Sequence, residues 1–229
     1  MNIENENKSI VCLNDVTKIY QSHNHKIAGV KNINLKVESG ELLLILGPSG
    51  SGKTTLLTLI AGLIKPSSGK IIVYDKNIED YSPKALQMLR ANKIGFVFQT
   101  FLLIESLSVI ENIMLVKKFS NSAHASMYFD SLNLLKKFDV DYLAKKSPKN
   151  LSQGEKQRVA LARAIANNAE LILADEPTAS LEAHQGFEII NMLHQFAKNE
   201  NRCVIVVSHD LRLKEFADRI VWLENGILN

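Results

Sequence analysis

Cysteine, long apolar runs and unbalanced charge are all scarce in this chain, and each scarcity removes a class of protein. Its 229 residues hold two cysteines, Cys12 and Cys203, far apart and in apolar surroundings. That is too few for a disulfide framework or a thiolate metal centre, and it suits a reducing compartment. No segment approaches the ~18 consecutive apolar residues of a membrane-spanning helix. The polar, partly acidic start MNIENENKSI reads as neither signal nor transit peptide. The expected location is therefore the cytoplasm, with any membrane part supplied by a partner. Net charge is only +3. The lysines come in short pairs (Lys117 and Lys118, Lys136 and Lys137, Lys145 and Lys146), which read as solvated faces rather than a nucleic-acid-binding tract. Internal repeats and low-complexity linkers are also missing.

What is present is a series of short apolar runs. Ser9–Leu13, Ile33–Val37, Glu41–Leu46, Lys70–Tyr74, Ile94–Phe98, Glu170–Ala174, Cys203–Val207 and Arg219–Leu223 read as strands. ELLLILG, LILAD and CVIVVSHD are continuous rather than alternating, as parallel strands covered on both faces are. The earlier runs alternate more, which predicts a small antiparallel sheet leaning on the parallel one. Between Gln99 and Ser152 the period turns helical, in SVIENIMLVKKF and ASMYFDSLNLLKKFDV. The expectation is one α/β domain over 1–229, with an α-helical insertion over about 100–151. The helix that begins at Ser152 returns the chain to the core.

The stretch GPSGSGKTT, Gly47 to Thr55, fits G-x-x-x-x-G-K-[ST] between a buried strand and the helical run LLTLIAGL. Glycines at Gly47, Gly50 and Gly52 let backbone N–H groups turn inward around phosphate oxygens at the positive end of a helix. Pro48, Ser49 and Ser51 complete that loop. Lys53 is placed for the β- and γ-phosphates, the Thr54 hydroxyl for Mg²⁺ and Thr55 for the α-phosphate. LILADEP adds Asp175, placed to hold the metal through water, and Glu176 beside it. Two adjacent carboxylates ending an apolar strand are costly unless a cation and hydrogen bonds satisfy them. Glu176 is the candidate for polarising the attacking water, and His209 in VVSHD for touching the γ-phosphate.

NLSQGEKQRVALARAIA, Asn150 to Ala166, remains unused by that chemistry. Ser152 and Glu155 have the spacing of a capping box, which leaves Gly154 unexplained, since glycine in a first turn costs roughly 1 kcal/mol relative to alanine. A serine hydroxyl, exposed N–H groups and a glycine for close approach make a second anion site. Two copies packed head to tail, each closing this turn over the other's γ-phosphate, would use it.

In order and over essentially the whole chain, these motifs resemble the nucleotide-binding subunit of ABC transporters. The resemblance implies a P-loop NTPase core of the RecA-like kind and an ATPase that drives a separate integral-membrane permease from the inner face of the membrane. It makes Tyr20 in TKIYQSH the aromatic that stacks on adenine, and Gln99 in FVFQTF the link between Mg²⁺, water and the permease-contacting region. LSQGEKQR matches the signature, TASLE the loop after the acidic strand, and His209 the switch histidine. ADEPT, FVFQTFLLIESLSVIENIML and HDLRLKEFADRIVWLENG point to the lipoprotein-releasing, macrolide-exporting and heterocyst glycolipid-exporting group. With Trp222 so near the end of the sequence, the regulatory tail of some importer subunits is not expected. Coupling is expected through Gln99 and the apolar segment Phe101–Leu107.

Three departures stand out: Gln153 where glycine is usual, Glu155 where glutamine is common, and Glu182 where aspartate is usual. A non-transport ATPase clamp would need long coiled coils or further domains, and a P-loop kinase or GTPase leaves LSQGE and His209 without work. A cell-division complex using the same architecture for signalling stays open, as do the cargo, the transport direction and the preference for ATP over GTP.

Overall fold

A computed structural model describes residues 9–22, 25–119 and 126–229. The start of the chain read as no targeting signal (residues 1–8) and Ala125 of the second helical run lie outside the described residues. The elements run β1 (Ser9–Ser22), β2 (His25–Glu38), β3 (Leu42–Leu46), α1 (Lys53–Ile60), β4 (Ser68–Val73), β5 (Lys76–Asn77), α2 (Pro83–Lys93), β6 (Ile94–Val97), α3 (Val109–Phe119), α4 (Met127–Lys137), α5 (Gln153–Ile165), β7 (Leu171–Asp175), α6 (Ala183–Glu200), β8 (Cys203–Ser208), β9 (Arg219–Glu224) and β10 (Ile227–Leu228). One sheet has the order β2-β1-β4-β5 and is antiparallel; the other has the order β10-β9-β3-β8-β7-β6 and is parallel except at β10.

Every expected apolar run coincides with a strand, overrunning it by one residue at Glu41, Tyr74, Phe98 and Glu170. β1 and β2 extend well past theirs, because register shifts after Leu13 and Val16 break the alternation while the hairpin pairing continues. The parallel sheet divides two cores. β3 is buried at all five positions, and its pleat sends Leu42, Leu44 and Leu46 to one side and Leu43 and Ile45 to the other. β7 and β8 split likewise, Ile172, Ala174, Val204 and Val206 against Leu171, Leu173, Ile205 and Val207. The first core is closed by α3 to α6, through Ile113, Leu135, Val159 and Ile190. The second is closed by α1 and the antiparallel sheet, through Leu56, Ile60, Val11 and Ile33. Each such side chain contributes about 1.5–3 kcal/mol by burial. That double covering is why these strands carry no polar alternation.

Candidate nucleotide site

β3, β6, β7 and β8 run in one direction, so their C-terminal ends open on the same edge of the sheet, where open parallel sheets bind ligands. The glycine loop follows β3, Gln99 follows β6, Asp175 ends β7 with Glu176 next, and His209 follows β8. Tyr20, Ser49, Gly50, Gly52, Lys53, Thr54, Thr55, Gln99, Asp175, Glu176 and His209 share the lining of one cavity of about 420 Å³. Residues from five separate stretches of sequence are thus brought to one place.

Gly52 caps α1 at φ +107°, and a Cβ there would stand 2.0 Å from the Gly29 carbonyl oxygen. Only glycine fits such a turn. The first-turn amides of α1 have no partner within the helix, and their residues, Lys53, Thr54 and Thr55, line the cavity. Gly47, Pro48 and Ser51 brace the loop. Lys53 Nζ donates to the Gly47 and Pro48 carbonyls at 2.7 and 3.0 Å, and Gly226 donates its N–H to the Ser51 carbonyl at 3.0 Å. The Lys53 ammonium is buried and folded back on its own loop.

The two acidic residues sit differently. Thr54 Oγ1 donates to Asp175 Oδ2 at 2.8 Å, while Asp175 Oδ1 is buried with no hydrogen-bond partner. Burial pushes the Asp175 carboxyl up, opposed by the Thr54 hydroxyl. A buried anionic oxygen without a donor, beside a hydroxyl, fits a hard cation. Among the described residues no three His, Cys, Asp or Glu side chains cluster as a metal cage, so such a cation would complete its shell from phosphate and water.

Glu176 turns the chain sharply at φ +48°, a conformation that costs a non-glycine residue about 1–2 kcal/mol. Its buried carboxylate lies 3.5 Å from Lys53 Nζ and 2.9 Å from His209 Nδ1, and it accepts from Ser208 Oγ at 3.3 Å. His209 was expected toward the γ-phosphate; here its ring is on Glu176. Gly29, which lines the cavity, and Ser208, which touches Glu176, have no role in the motif reading. A Cβ on Gly29 would come within 2.8 Å of the Tyr20 ring and 3.0 Å of Thr55 Cγ2, so its bareness leaves room for Tyr20, whose hydroxyl is 3.3 Å from Thr55 Oγ1. A glycine inside an alternating strand is the signal that marks it.

Ser152 and Gly154 line a different surface from this cavity. Ser152 caps α5: its Oγ accepts from the Glu155 N–H at 3.3 Å, and the Glu155 carboxylate accepts from the Ser152 N–H at 2.7 Å. That amide bond, with the Ser152 hydroxyl and nearby donors, holds the Glu155 carboxyl below its usual range. A Cβ on Gly154 would meet the exposed Gln185 side chain at 3.1 Å, a flexible neighbour able to yield. Packing within the chain therefore does not by itself demand the glycine.

A family model described as ABC transporter matches residues 30–179. The chain is 38% identical over 221 residues to the ABC transporter ATP-binding protein MJ0796 of Methanocaldococcus jannaschii, covering 95% of this chain and 94% of that one. It belongs to the ABC transporter ATP-binding family. A dimeric, post-hydrolysis structure of MJ0796 bound to ADP and Pi superposes with a TM-score of 0.91 over 96% of this chain and 97% of that one, at 38% identity. An ATP-binding protein of Staphylococcus aureus named for hemin import, HrtA, is 39% identical over 93% of this chain and 96% of its own length. This ABC cassette is thus an ATP-binding ATPase subunit, and among its described residues no helix is long and apolar enough to cross a membrane.

Beyond Gln99 the cassette's backbone is unusual. Phe101 and Leu102 both lie in the left-handed region, at φ +60° and +48°. Arg163 of α5 donates Nη2 to the Phe101 carbonyl at 2.6 Å and Nη1 to the Leu102 carbonyl at 2.5 Å. Asn112 of α3, buried, ties down Ile104 through its N–H at 2.8 Å and its carbonyl at 3.1 Å. The segment Phe101–Leu107 is less open than its sequence suggests: Phe101 is buried, because the left-handed turn folds its ring inward, while Leu102 and Ile104 are exposed. Those two, with Phe96, Phe98, Leu115 and Val116, line an apolar groove of about 320 Å³ whose wall includes Arg163.

Proposed function

We propose that two copies of this cassette close head to tail on two ATP molecules and drive a separate integral-membrane permease. The observation that carries the reading is the separation of a complete phosphate cradle from a second anion-binding helix start that its own cavity does not use. In the closed pair, Ser152 and Gly154 of each copy meet the γ-phosphate bound by the other. Tyr20 stacks on the base, the loop amides from Gly47 to Thr55 hold the phosphates, and Lys53 transfers its charge from the Gly47 and Pro48 carbonyls to the β- and γ-phosphates. Mg²⁺, held by Thr54 and Asp175 with Gln99 alongside, neutralises phosphate charge when bound. Once Lys53 has moved, Glu176 keeps His209 and Ser208 as orienting partners and is free to take a proton from the attacking water.

The permease docks in the apolar groove beside Gln99, at the inner face of the cytoplasmic membrane. Arg163 then joins the signature helix to the docking segment, so closure and permease movement share one rigid link. The direction is export or extraction, of a lipid, lipoprotein, peptide or drug, on the strength of the segments around Gln99 and His209; the relative named for hemin import adds hemin to the cargoes worth testing. Tagging this subunit with Glu176→Gln, solubilising membranes gently with ATP and identifying the co-purifying chain tests the reading. A partner with few spans and a large extracytoplasmic domain supports export. A many-span partner with a separate binding protein makes the system an importer, and a trapped dimer with no membrane chain makes it a clamp without a transport role.

A further inference from the structure

The signature turn carries Glu155 where a neutral glutamine is common, and a free carboxylate at that point would face the γ-phosphate of the second copy. Both of its oxygens are engaged. Oε2 accepts from the Ser152 N–H at 2.7 Å, and Oε1 accepts from the Tyr142 hydroxyl at 3.0 Å. Tyr142 stands outside the signature, on a short 3-10 turn over Asp141–Leu143 whose Leu143 is buried in the first core. That anchor fixes where the ring begins. The ring itself is 65% exposed, so burial explains little of its presence, and the Lys146 ammonium lies 6.0 Å from its centroid. Its directed contact is with the carboxylate.

We propose that Tyr142 is a positioning residue that keeps Glu155 turned back onto its own helix start, so that a negatively charged signature turn can receive the γ-phosphate of another copy. The inference rests on the head-to-tail pairing. Without the hydroxyl, Glu155 keeps its bond to the Ser152 amide through one oxygen, and the other oxygen presents unneutralised charge to the incoming phosphate. Like charges brought together without a partner oppose association, and at an exposed site that opposition is screened by salt.

The test compares four proteins, all with Glu176→Gln: that change alone, with Tyr142→Phe, with Glu155→Gln, and with both. Sedimentation velocity gives the ATP concentration at half-maximal dimer, and a fluorescent ATP analogue gives the affinity of each monomer's own cradle. Tyr142→Phe is expected to raise the half-maximal concentration about threefold, the scale of one solvent-exposed charge interaction. It adds no cost when Glu155→Gln is present, and its effect shrinks in high salt, while monomer affinity stays level. An equal effect in both backgrounds, a salt-independent effect, or none overturns the proposal, because coupling between the two sites is its content. If Glu176→Gln alone stays monomeric at saturating ATP, the pairing itself is wrong, and the inference falls with it before Tyr142 is compared.

Discussion

The two helix starts proposed to meet phosphate are built in opposite ways. α1 has a left-handed glycine at its cap, no side-chain cap and a buried lysine in its first turn. α5 starts near the surface with a complete capping box, each partner satisfying the other's backbone amide. On the proposed reading, the first leaves its amides to be completed by the ligand of its own chain. The second would have to hold its shape between encounters with another copy, and Ser152, Glu155 and the more distant Tyr142 already bond to one another within the chain. An uncapped start is tolerable where the fold supplies walls; a solitary one needs its own caps.

The largest effect should separate chemistry from closure. Glu176→Gln is expected to slow phosphate release by about 10²–10⁴-fold while ATP still drives dimer formation, read by phosphate assay and sedimentation together. Next comes the signature turn. Gly154→Asp places a charge where the helix dipole tolerates it, so the fold stays intact and the cradle keeps its ATP affinity, yet hydrolysis falls at least about tenfold. Loss of monomer binding in that variant would erase the contrast between the two helix starts. Arg163→Ala removes two charged hydrogen bonds from a strained turn and is expected to cost about 2 kcal/mol in urea unfolding. The smallest is at α6, whose first residue is preceded by Glu182 with no side-chain cap. Glu182→Asp should stabilise the protein by about 0.5–1 kcal/mol, visible as a rise in melting temperature.

Much of this was readable in the chain itself, for physical reasons that also mark where reading stops. Buried parallel strands announce themselves because two cores demand apolar side chains at successive positions, as β3 and Cys203–Val207 of β8 show. Phosphate chemistry is legible because its groups lie within a few residues of one another, from Gly47 to Thr55. α2 has an open start signal in Ser82 and Pro83, but it buries no residue, so a search for apolar periodicity passes over it. Arg163, Asn112 and Tyr142 act across distances in sequence that only the folded chain closes; Arg163 reaches 61 residues to Leu102. The burial of Phe101 depends on a backbone turn that no residue type in FVFQTFLL advertises.

Mixing two inert variants tests the head-to-tail pairing most directly. Lys53→Ala disables a chain's own cradle but leaves its signature turn; Gly154→Asp does the reverse. Each alone should show little phosphate release. An equimolar mixture should recover activity, because one of its two composite sites joins an intact cradle to an intact signature turn. A mixture as inactive as its components would contradict that pairing.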